Sequence, residues 1–364
     1  MRIALFTDQG AHYRFPVFRA IAESCPDDVA IDFFIPENDS KGLHVLDEVN
    51  SELRCSRIKN ISLGHRLFYQ SGVVSAILRG RYDVIVLWGG ATILSNWFAL
   101  VAAKIRNVRI VFWGHGFYGN EGAVKLAFRS FFYRFADSNF LYGKHAQRIL
   151  SERLPDANSE VIYNSLDVDR IRDCAESARQ QSMGYKWDLI YVGRLTTIKR
   201  LDLLIDAVAI LQKQGRSLKV LMVGEGEVQS VLMSRASSMS VSDCFEWVGA
   251  CYEEQRLSDY FSESRFCVSP GNIGLMAMHA LYNNTPIITH GDLTNQMPEA
   301  EAVQHGENGF LFQREVASSL SAAINEAMNS DYETLRANCF PSVREHYSPE
   351  FQSGVFWSGI SKIS

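Results

Sequence analysis

Residues 188–202 read DLIYVGRLTTIKRLD, and this stretch decides the fold. Asp188 to Val192 is a short apolar run typical of a buried strand, and Gly193 supplies a turn after it. From Leu201 onwards, apolar residues recur at helical spacing until Gly215 provides a stop. Apolar strands that alternate with helices form parallel sheets covered on both faces. The stretch therefore predicts the start of a doubly wound α/β domain.

The same alternation recurs on both sides of this stretch. Strands are predicted over residues 3–6, 29–35, 83–88, 108–113, 139–142 and 161–163, and again over 218–223, 266–269, 286–289 and 309–312. Helices are predicted from residue 16 and over 93–106, 274–282 and 316–328. The chain is thus predicted to hold two doubly wound domains in tandem.

A chain of 364 residues exceeds what one hydrophobic core usually fills. The polar segment 173–185 lacks apolar periodicity and is the predicted linker. The predicted domains are 1–172 and 173–345, followed by a C-terminal helix at 346–364 that crosses back onto the first domain. We expect substrate at the carboxyl ends of the strands, in a cleft between the domains.

Composition narrows the class of protein. With 47% hydrophobic and 21% charged residues, the chain is globular rather than disordered. A net charge of -5 is unlike the basic footprint of a nucleic-acid binder, so no nucleic-acid partner is expected. The seven cysteines show no Cys-x-x-Cys spacing, which suits reduced thiols in a cytoplasmic protein and not zinc ligands. No export signal or membrane span is expected.

The basic loop after the strand at 188–192 is a candidate diphosphate site. Gly193, Arg194 and Lys199 place a tight turn and two cations at the carboxyl edge of a sheet. A guanidinium and an ammonium there can neutralise the charge of a leaving nucleoside diphosphate. A solvated basic loop would have the same spacing, and both interpretations stay open.

A second glycine-bearing turn follows the strand at 266–269, in the sequence SPGNIGLMAMHA at 269–280. Main-chain N–H groups at the start of a helix, together with the helix dipole, favour a bound anion. Such a turn alone is weakly specific. His279, one turn beyond Gly274, is compatible with packing or with ligand binding.

Taken together, these and other short motifs resemble glycosyltransferase family 4, retaining enzymes of the GT-B fold, in which two Rossmann-like doubly wound domains face a central cleft. The resemblance spans most of the chain. It is carried by TDQGAHYR at 7–14, GHG at 114–116, YNSLD at 163–167, VGR at 192–194 with Lys199, VGEG at 223–226, and GL at 274–275 followed by TPII at 285–288.

The resemblance implies roles for particular residues. The donor would be a nucleoside diphosphate sugar, UDP- or GDP-linked, used without a metal or other cofactor. Residues implied in catalysis are His115, Arg194 and Lys199. Residues implied in donor binding are Gly10, Gly193, Arg194, Lys199, Gly224, Glu225, Val248, Asn272, Ile273, Gly274, Leu275, Met276 and His279. Residues implied in acceptor binding are His12, Tyr13 and Arg14.

The sequence departs from the family at two positions. The family's pair of glutamates, separated by seven residues, falls on Gly271 and His279, so both carboxylates are missing. In the family, the first contacts donor-sugar hydroxyls and the second contacts the ribose. His279 can still hydrogen-bond a ribose. We expect Asn272 to supply the other polar contact, and the identity of the donor stays open.

Two further patterns each allow more than one interpretation. Asp167-Val168-Asp169 matches an Asp-x-Asp metal signature, but Asp167 is predicted to cap a helix that starts near Val168. The stretch 124–135 places Val124, Phe128, Phe131, Phe132 and Phe135 on one helical face, beside basic residues. That face is typical either of core packing, which we favour, or of contact with a membrane surface.

The sequence predicts a glycosyltransferase that moves a hexosyl group to a glycan or lipid-linked glycan in the synthesis of a bacterial surface polysaccharide. The pathway comes from the family resemblance. We expect cytoplasmic location with peripheral contact at the inner face of the plasma membrane. Two alternatives stay open: a nucleotide-sugar epimerase, for which no clear acid/base carboxylate pair is visible, and a non-catalytic sugar-nucleotide-binding protein.

Overall fold

The computed structural model describes residues 1–37, 53–64 and 67–364, with the side chain of residue 12 left undescribed. The chain divides into two units. The first joins Met1–Leu166 with Ser348–Ser364, and the second is Asp167–Tyr347. Each unit contains a largely parallel sheet covered by helices. The predicted α/β class with two Rossmann-like domains is therefore confirmed.

The first unit is built on an eight-stranded sheet. Its strands are β1 (Arg2–Phe6), β2 (Ala30–Pro36), β3 (Cys55–Leu63), β4 (Leu67–Ser71), β5 (Val84–Trp88), β6 (Arg109–Gly114), β7 (Ser138–Leu141) and β8 (Ser159–Val161). Their order is β4-β3-β2-β1-β5-β6-β7-β8, parallel except for the antiparallel β3–β4 pair. Its helices are α1 (Phe15–Glu23), α2 (Val73–Arg79), α3 (Leu94–Arg106), α4 (Ala123–Tyr133) and α5 (Lys144–Arg153).

The second unit is built on six parallel strands in the order β11-β10-β9-β12-β13-β14. These are β9 (Trp187–Val192), β10 (Val220–Val223), β11 (Phe245–Gly249), β12 (Ser264–Ser269), β13 (Ile287–His290) and β14 (Gly309–Phe312). Its helices are α6 (Val168–Gln181), α7 (Leu201–Lys213), α8 (Gln229–Ser238), α9 (Glu254–Ser262), α10 (Met276–Tyr282), α11 (Ala317–Met328) and α12 (Tyr332–Arg344). The strand order reverses beside β9, so the ends of β9 and β12 are a natural ligand site.

The C-terminal helix α13 (Pro349–Ser361) belongs to the first unit. Phe356 is fully buried there, with its ring 6.0 Å from Trp113 and 5.7 Å from Phe140. Trp357 Nε1 donates to the carbonyl of Ile21 in α1 at 3.1 Å. The last residues of the chain thus complete the core over one face of the first sheet.

Sequence periodicity misses the strands β3, β4 and β11. β4 and β11 are edge strands and β3 lies next to an edge, where fewer side chains are buried. Exposed strands do not need the continuous apolar run on which the prediction rests. Helices α2, α5, α8, α9 and α12 are also missing from the prediction, which gave the start of α6 near Val168 but not its extent.

The segment predicted as a linker is mostly helical, because α6 covers Val168–Gln181. Its buried face consists of Ile171, Ala175 and Ala178, so two alanines conceal the apolar periodicity. The division between the units accordingly falls after Leu166 rather than after residue 172. Asp167 Oδ1 accepts a hydrogen bond from the N–H of Arg170 at 3.2 Å, and its predicted role as a helix cap is confirmed.

Helix α4 corrects the favoured interpretation of the stretch 124–135. Of its five apolar residues placed on one face, Phe132 alone is buried. Val124, Phe128, Phe131 and Phe135 are 43–86% exposed, so core packing does not account for them. Within the described residues, each helix is too short or too polar to cross a lipid bilayer.

The packing of α13 predicts that Phe356→Ala destabilises the first unit. Loss of a fully buried ring between Trp113 and Phe140 leaves a cavity, and we expect the free energy of unfolding to fall by about 3–5 kcal/mol. Urea unfolding followed by circular dichroism measures it. Ser358→Ala, at an exposed position of the same helix, is the control and changes little. Equal stability of the two variants would contradict the packing.

Candidate active site

The carboxyl end of β9 leads into the predicted basic loop. Gly193 has φ +148° and its N–H donates to the carbonyl of Val223 at 2.9 Å. A Cβ on Gly224 would lie 1.9 Å from the carbonyl oxygen of Gly193, so the two loops touch through bare backbone. The ends of β9 and β10 therefore form one continuous edge.

The end of β11 joins the same edge. The N–H of Gly224 donates to the carbonyl of Gly249 at 2.7 Å. Glu225 Oε1 accepts from the N–H of Ala250 at 3.4 Å, and its main-chain carbonyl accepts from the N–H of Leu195 at 2.9 Å. Glu225 thus ties the loops after β9 and β11 together, beside the predicted donor residue Val248.

Lys199 connects the basic loop to the turn after β12. Its ammonium Nζ donates to the main-chain carbonyl of Asn272 at 2.5 Å. The N–H of Gly271 donates to the carbonyl of Lys199 at 2.9 Å. Two hydrogen bonds of opposite direction therefore join these segments. It is the main chain of Asn272, and not its side chain, that holds Lys199.

The ammonium of Lys199 has a lowered pKa. Burial lowers the pKa of its ammonium to about 8, the Arg194 guanidinium lowers it too, and the Glu299 carboxylate raises it. Glu299 lies in the short helical turn Pro298–Ala302 and is 2% exposed. A diphosphate near Lys199 would favour the charged ammonium. Arg194 and Lys199 are therefore close enough for their charges to interact.

Gly271 cannot carry a side chain in this conformation. A Cβ there would lie 2.1 Å from the carbonyl oxygen of Ile198 and 2.7 Å from Cα of Lys199. Contacts below 3.0 Å with backbone require the chain to move. The close packing of the two loops therefore leaves no room for a carboxylate at position 271.

Gln296 organises the glycine-bearing turn and was missed by the sequence interpretation. Its Oε1 accepts from the N–H of Ile273 at 2.9 Å. Its Nε2 donates to the carbonyl of Gly271 at 3.3 Å, to Thr289 Oγ1 at 3.0 Å and to the carbonyl of His290 at 3.2 Å. A buried amide with this many partners fixes the loop conformation. The sequence feature that could have indicated Gln296 is its position shortly after the strand β13.

The N–H of Ile273 donates to Gln296, and Ile273 is 1% exposed. Ile273 therefore supports the turn. Gly274 follows with φ +60°, and α10 begins at Met276. The helix uses the carbonyls of Gly274 and Leu275 as acceptors for Ala277 and Met278. The turn thus leads directly into α10 with the geometry of a helix start.

His279 of α10 faces a carboxylate from another helix. Its Nδ1 lies 3.3 Å from Glu254 Oε1, at the start of α9, and both side chains are about four-fifths buried. Helices that follow β11 and β12 begin at the same edge of a parallel sheet. The sequence interpretation missed Glu254 because it lies 25 positions away from His279 in a helix that was not predicted.

The first unit holds the other predicted residues at the carboxyl ends of its strands. Gly10 is buried after β1, and the helical turn His12–Arg14 follows it. The Arg14 guanidinium is buried, 4.3 Å from the Trp88 ring and 3.8 Å from Asp8. Burial opposes its charge, but Tyr142, Tyr13 and Asp8 together raise the pKa of Arg14 above its ordinary value.

His115 follows β6 and lies among three aromatic rings. Ring centroids are 6.0 Å from Trp88, 5.1 Å from Tyr142 and 5.8 Å from Tyr118. The imidazole is half-buried. These rings come from the ends of β5, β6 and β7, so His115 lies against aromatic side chains at the carboxyl edge of the first sheet.

The donor residues predicted in the second unit thus come together, because they lie at the linked ends of β9, β10, β11 and β12. Comparison with known proteins finds a family match for this part of the chain. Residues 175–345 match the family model described as glycosyl transferases group 1. The match lies within the second unit and spans just under half of the chain.

The chain also has a relative among named bacterial proteins. The chain is 21% identical over 229 residues to the putative glycosyltransferase EpsD of Bacillus subtilis (strain 168), a match covering 57% of this chain and 58% of EpsD. It therefore spans little more than half the length of that relative.

Solved structures share the fold over the whole chain. The structure of Anabaena Alr3699/HepE in complex with UDP and glucose has a TM-score of 0.70 at 16% identity, with 100% of both chains covered. The lipopolysaccharide outer core galactosyltransferase WaaB, in its apo form, has a TM-score of 0.73 at 15% identity, covering 100% of this chain and 99% of that chain. The expected GT-B fold class is thereby confirmed.

The close contact between the backbones at Gly271 and Ile198 predicts that even Gly271→Ala destabilises the protein. The added Cβ would collide with the carbonyl of Ile198, and we expect a loss of about 1–3 kcal/mol in the free energy of unfolding. Gly354→Ala in helix α13 is the control, since a Cβ there meets open space. Thermal unfolding of both variants checks this, and an unchanged melting temperature for Gly271→Ala would refute it.

Proposed function

We propose that this protein is a retaining glycosyltransferase of family 4 that transfers a hexosyl group from a nucleoside diphosphate sugar to a glycan or lipid-linked glycan. The observation that carries the proposal is the junction of the basic loop with the glycine-bearing turn through Lys199 and Asn272. This junction brings the two predicted phosphate-binding segments to one edge of the second sheet. The UDP bound in the Anabaena structure supports a nucleotide ligand for the same fold.

The proposed chemistry places negative charge on the departing diphosphate. The bond from the anomeric carbon to the diphosphate oxygen breaks, the acceptor oxygen forms the new bond to that carbon, and the acceptor's proton passes to the departing diphosphate. Arg194 and Lys199 would stabilise the developing charge, and fixed charges act most strongly where water is excluded. The positive charges of this loop would therefore stabilise the leaving diphosphate. No metal or other cofactor is part of the proposal.

The two missing glutamates are replaced in different ways under this proposal. At position 271 the backbone leaves no room for a carboxylate, and Asn272 remains the predicted polar contact. At position 279, an Nδ1–H directed at Glu254 would leave Nε2 as the acceptor for a ribose hydroxyl. His279 with Glu254 would then do together what one glutamate does in the family.

The acceptor is proposed to bind the first unit, with His12 and Tyr13 as contacts. Arg14 is buried against Trp88 and would hold this loop in place. His115, surrounded by aromatic rings, is proposed to lie near the reacting sugar. The likeness to WaaB, a lipopolysaccharide outer core galactosyltransferase, supports a role in bacterial surface polysaccharide synthesis. The proposal includes cytoplasmic location, with peripheral contact at the inner face of the plasma membrane and no nucleic-acid partner.

The low pKa of Lys199 makes diphosphate binding dependent on pH. At pH 9 an ammonium with a pKa of about 8 is mostly neutral, so binding of UDP or GDP should take up close to one proton. At pH 6.5 the ammonium is already charged, so Lys199 takes up little, and the terminal phosphate of the nucleotide, with a second pKa of about 6, releases part of a proton instead. Isothermal titration calorimetry in buffers of different ionisation enthalpy measures the uptake.

Lys199→Met should abolish the uptake at pH 9 and weaken diphosphate binding at pH 6.5 on the order of tenfold to a hundredfold. Lys213→Met, at an exposed position of α7, is the matched control and should behave as the wild type. Proton uptake that persists in Lys199→Met would show that another group titrates.

The reaction itself is tested with a panel of UDP-, GDP- and dTDP-sugars, with and without glycan acceptor. We expect nucleotide release that depends on acceptor, is lost in Arg194→Ala and survives excess chelator. Nuclear magnetic resonance of the product should show retained anomeric configuration. An isomerised donor would instead indicate an epimerase, and donor binding without any product would indicate a non-catalytic protein.

A further inference from the structure

Helices α3 and α4 of the first unit expose large apolar side chains. On α3, Phe98, Val101 and Ile105 are 58%, 61% and 72% exposed. Their spacing of three and four residues places them on one face of the helix. On α4 and just after it, the exposed apolar residues are Val124 (86%), Phe128 (50%), Phe131 (52%) and Phe135 (43%). These seven residues are named the apolar surface.

The two helices form one continuous surface because Trp97 of α3 bridges them. Its ring centroid lies 5.3 Å from Phe128, 6.2 Å from Phe131 and 6.4 Å from Phe135. The same indole lies 5.0 Å from buried Phe132 beneath. The apolar surface is therefore anchored in the core and held in a defined arrangement.

The needs of the core do not explain the apolar surface. The inward faces of the two helices already supply buried side chains, among them Ala99, Ala103, Phe132 and Tyr133. Exposed apolar patches of this kind mark sites of interaction with a membrane or a partner. The seven exposed apolar side chains on these two neighbouring helices therefore indicate a binding surface.

The charged residues near the apolar surface indicate which kind of partner binds it. Helices α2, α3 and α4 together carry Arg79, Lys104, Arg106, Lys125 and Arg129 and contain no Asp or Glu in their sequences. Arg129 is neutralised by Glu121, which precedes α4, at 2.5 Å. Lys104 and Lys125 are exposed and make no ion pair with any described residue. The protein as a whole has a net charge of -5, so this basic and apolar region is distinct.

We propose that the apolar surface docks on an anionic lipid bilayer, with its phenylalanine, valine and isoleucine side chains at the level of the acyl boundary and Lys104 and Lys125 at the headgroups. Apolar faces flanked by lysine and arginine bind in this way without spanning the membrane. The inference rests on the proposed function in that a lipid-linked acceptor would be presented at such a surface.

Flotation with vesicles tests the proposal directly. The full chain should float with vesicles of phosphatidylglycerol and phosphatidylethanolamine, and far less with phosphatidylcholine alone. Val101→Ser/Ile105→Ser/Val124→Ser removes the three most exposed side chains and should weaken partitioning by more than about tenfold. Lys104→Gln/Lys125→Gln should weaken it by about fivefold for each cation, and the loss should shrink at high salt.

Val231→Ser/Met233→Ser is the matched control, because these residues of α8 are 64% and 45% exposed in the second unit. It should float as the wild type does. UDP and GDP binding measured on the same preparations reports the donor site separately, so loss of flotation is distinguishable from failure of the proposed function. The proposal is overturned if the wild type stays unbound, if the variants float unchanged, or if the surface proves to be a dimer interface that the serine variant disrupts.

Discussion

The hydrogen bond from Lys199 to the main-chain carbonyl of Asn272 is the contact on which the arrangement of the candidate site depends. It joins the loop after β9 to the turn after β12, at the position where the strand order of the second sheet reverses. The ammonium of Lys199 thereby fixes the turn after β12. Its pKa of about 8 is the physical result of burial, opposed by one carboxylate.

Much of this arrangement could be predicted from the sequence. Buried parallel strands are continuous apolar runs, and cations or glycines directly after them must lie at one edge of the sheet. Arg194, Lys199 and Gly274 are of this kind. Gln296 and Glu254 could not be found in the same way, since their importance comes from contacts across the fold. Nor does any periodicity reveal that a Cβ at Gly271 would meet the backbone of Ile198.

The two positions that depart from the family differ in physical character. Position 271 is constrained by close contact of two main chains, so a carboxylate there would demand a different loop conformation. Position 279 is a substitution of one polar group for another, with Glu254 adjacent. Helix α4 shows a different limit of prediction from sequence. Its apolar face is easy to recognise, but the pattern does not show whether that face points into the core or towards solvent.

The C-terminal helix has a consequence for the order in which the protein can fold during synthesis. The second unit is one uninterrupted segment, whereas the first needs residues from both ends of the chain. On the ribosome, the rings of Trp113 and Phe140 must wait for Phe356, which is synthesised after the whole second unit. The second unit can therefore reach its final state while the first is still incomplete, the reverse of the usual vectorial order.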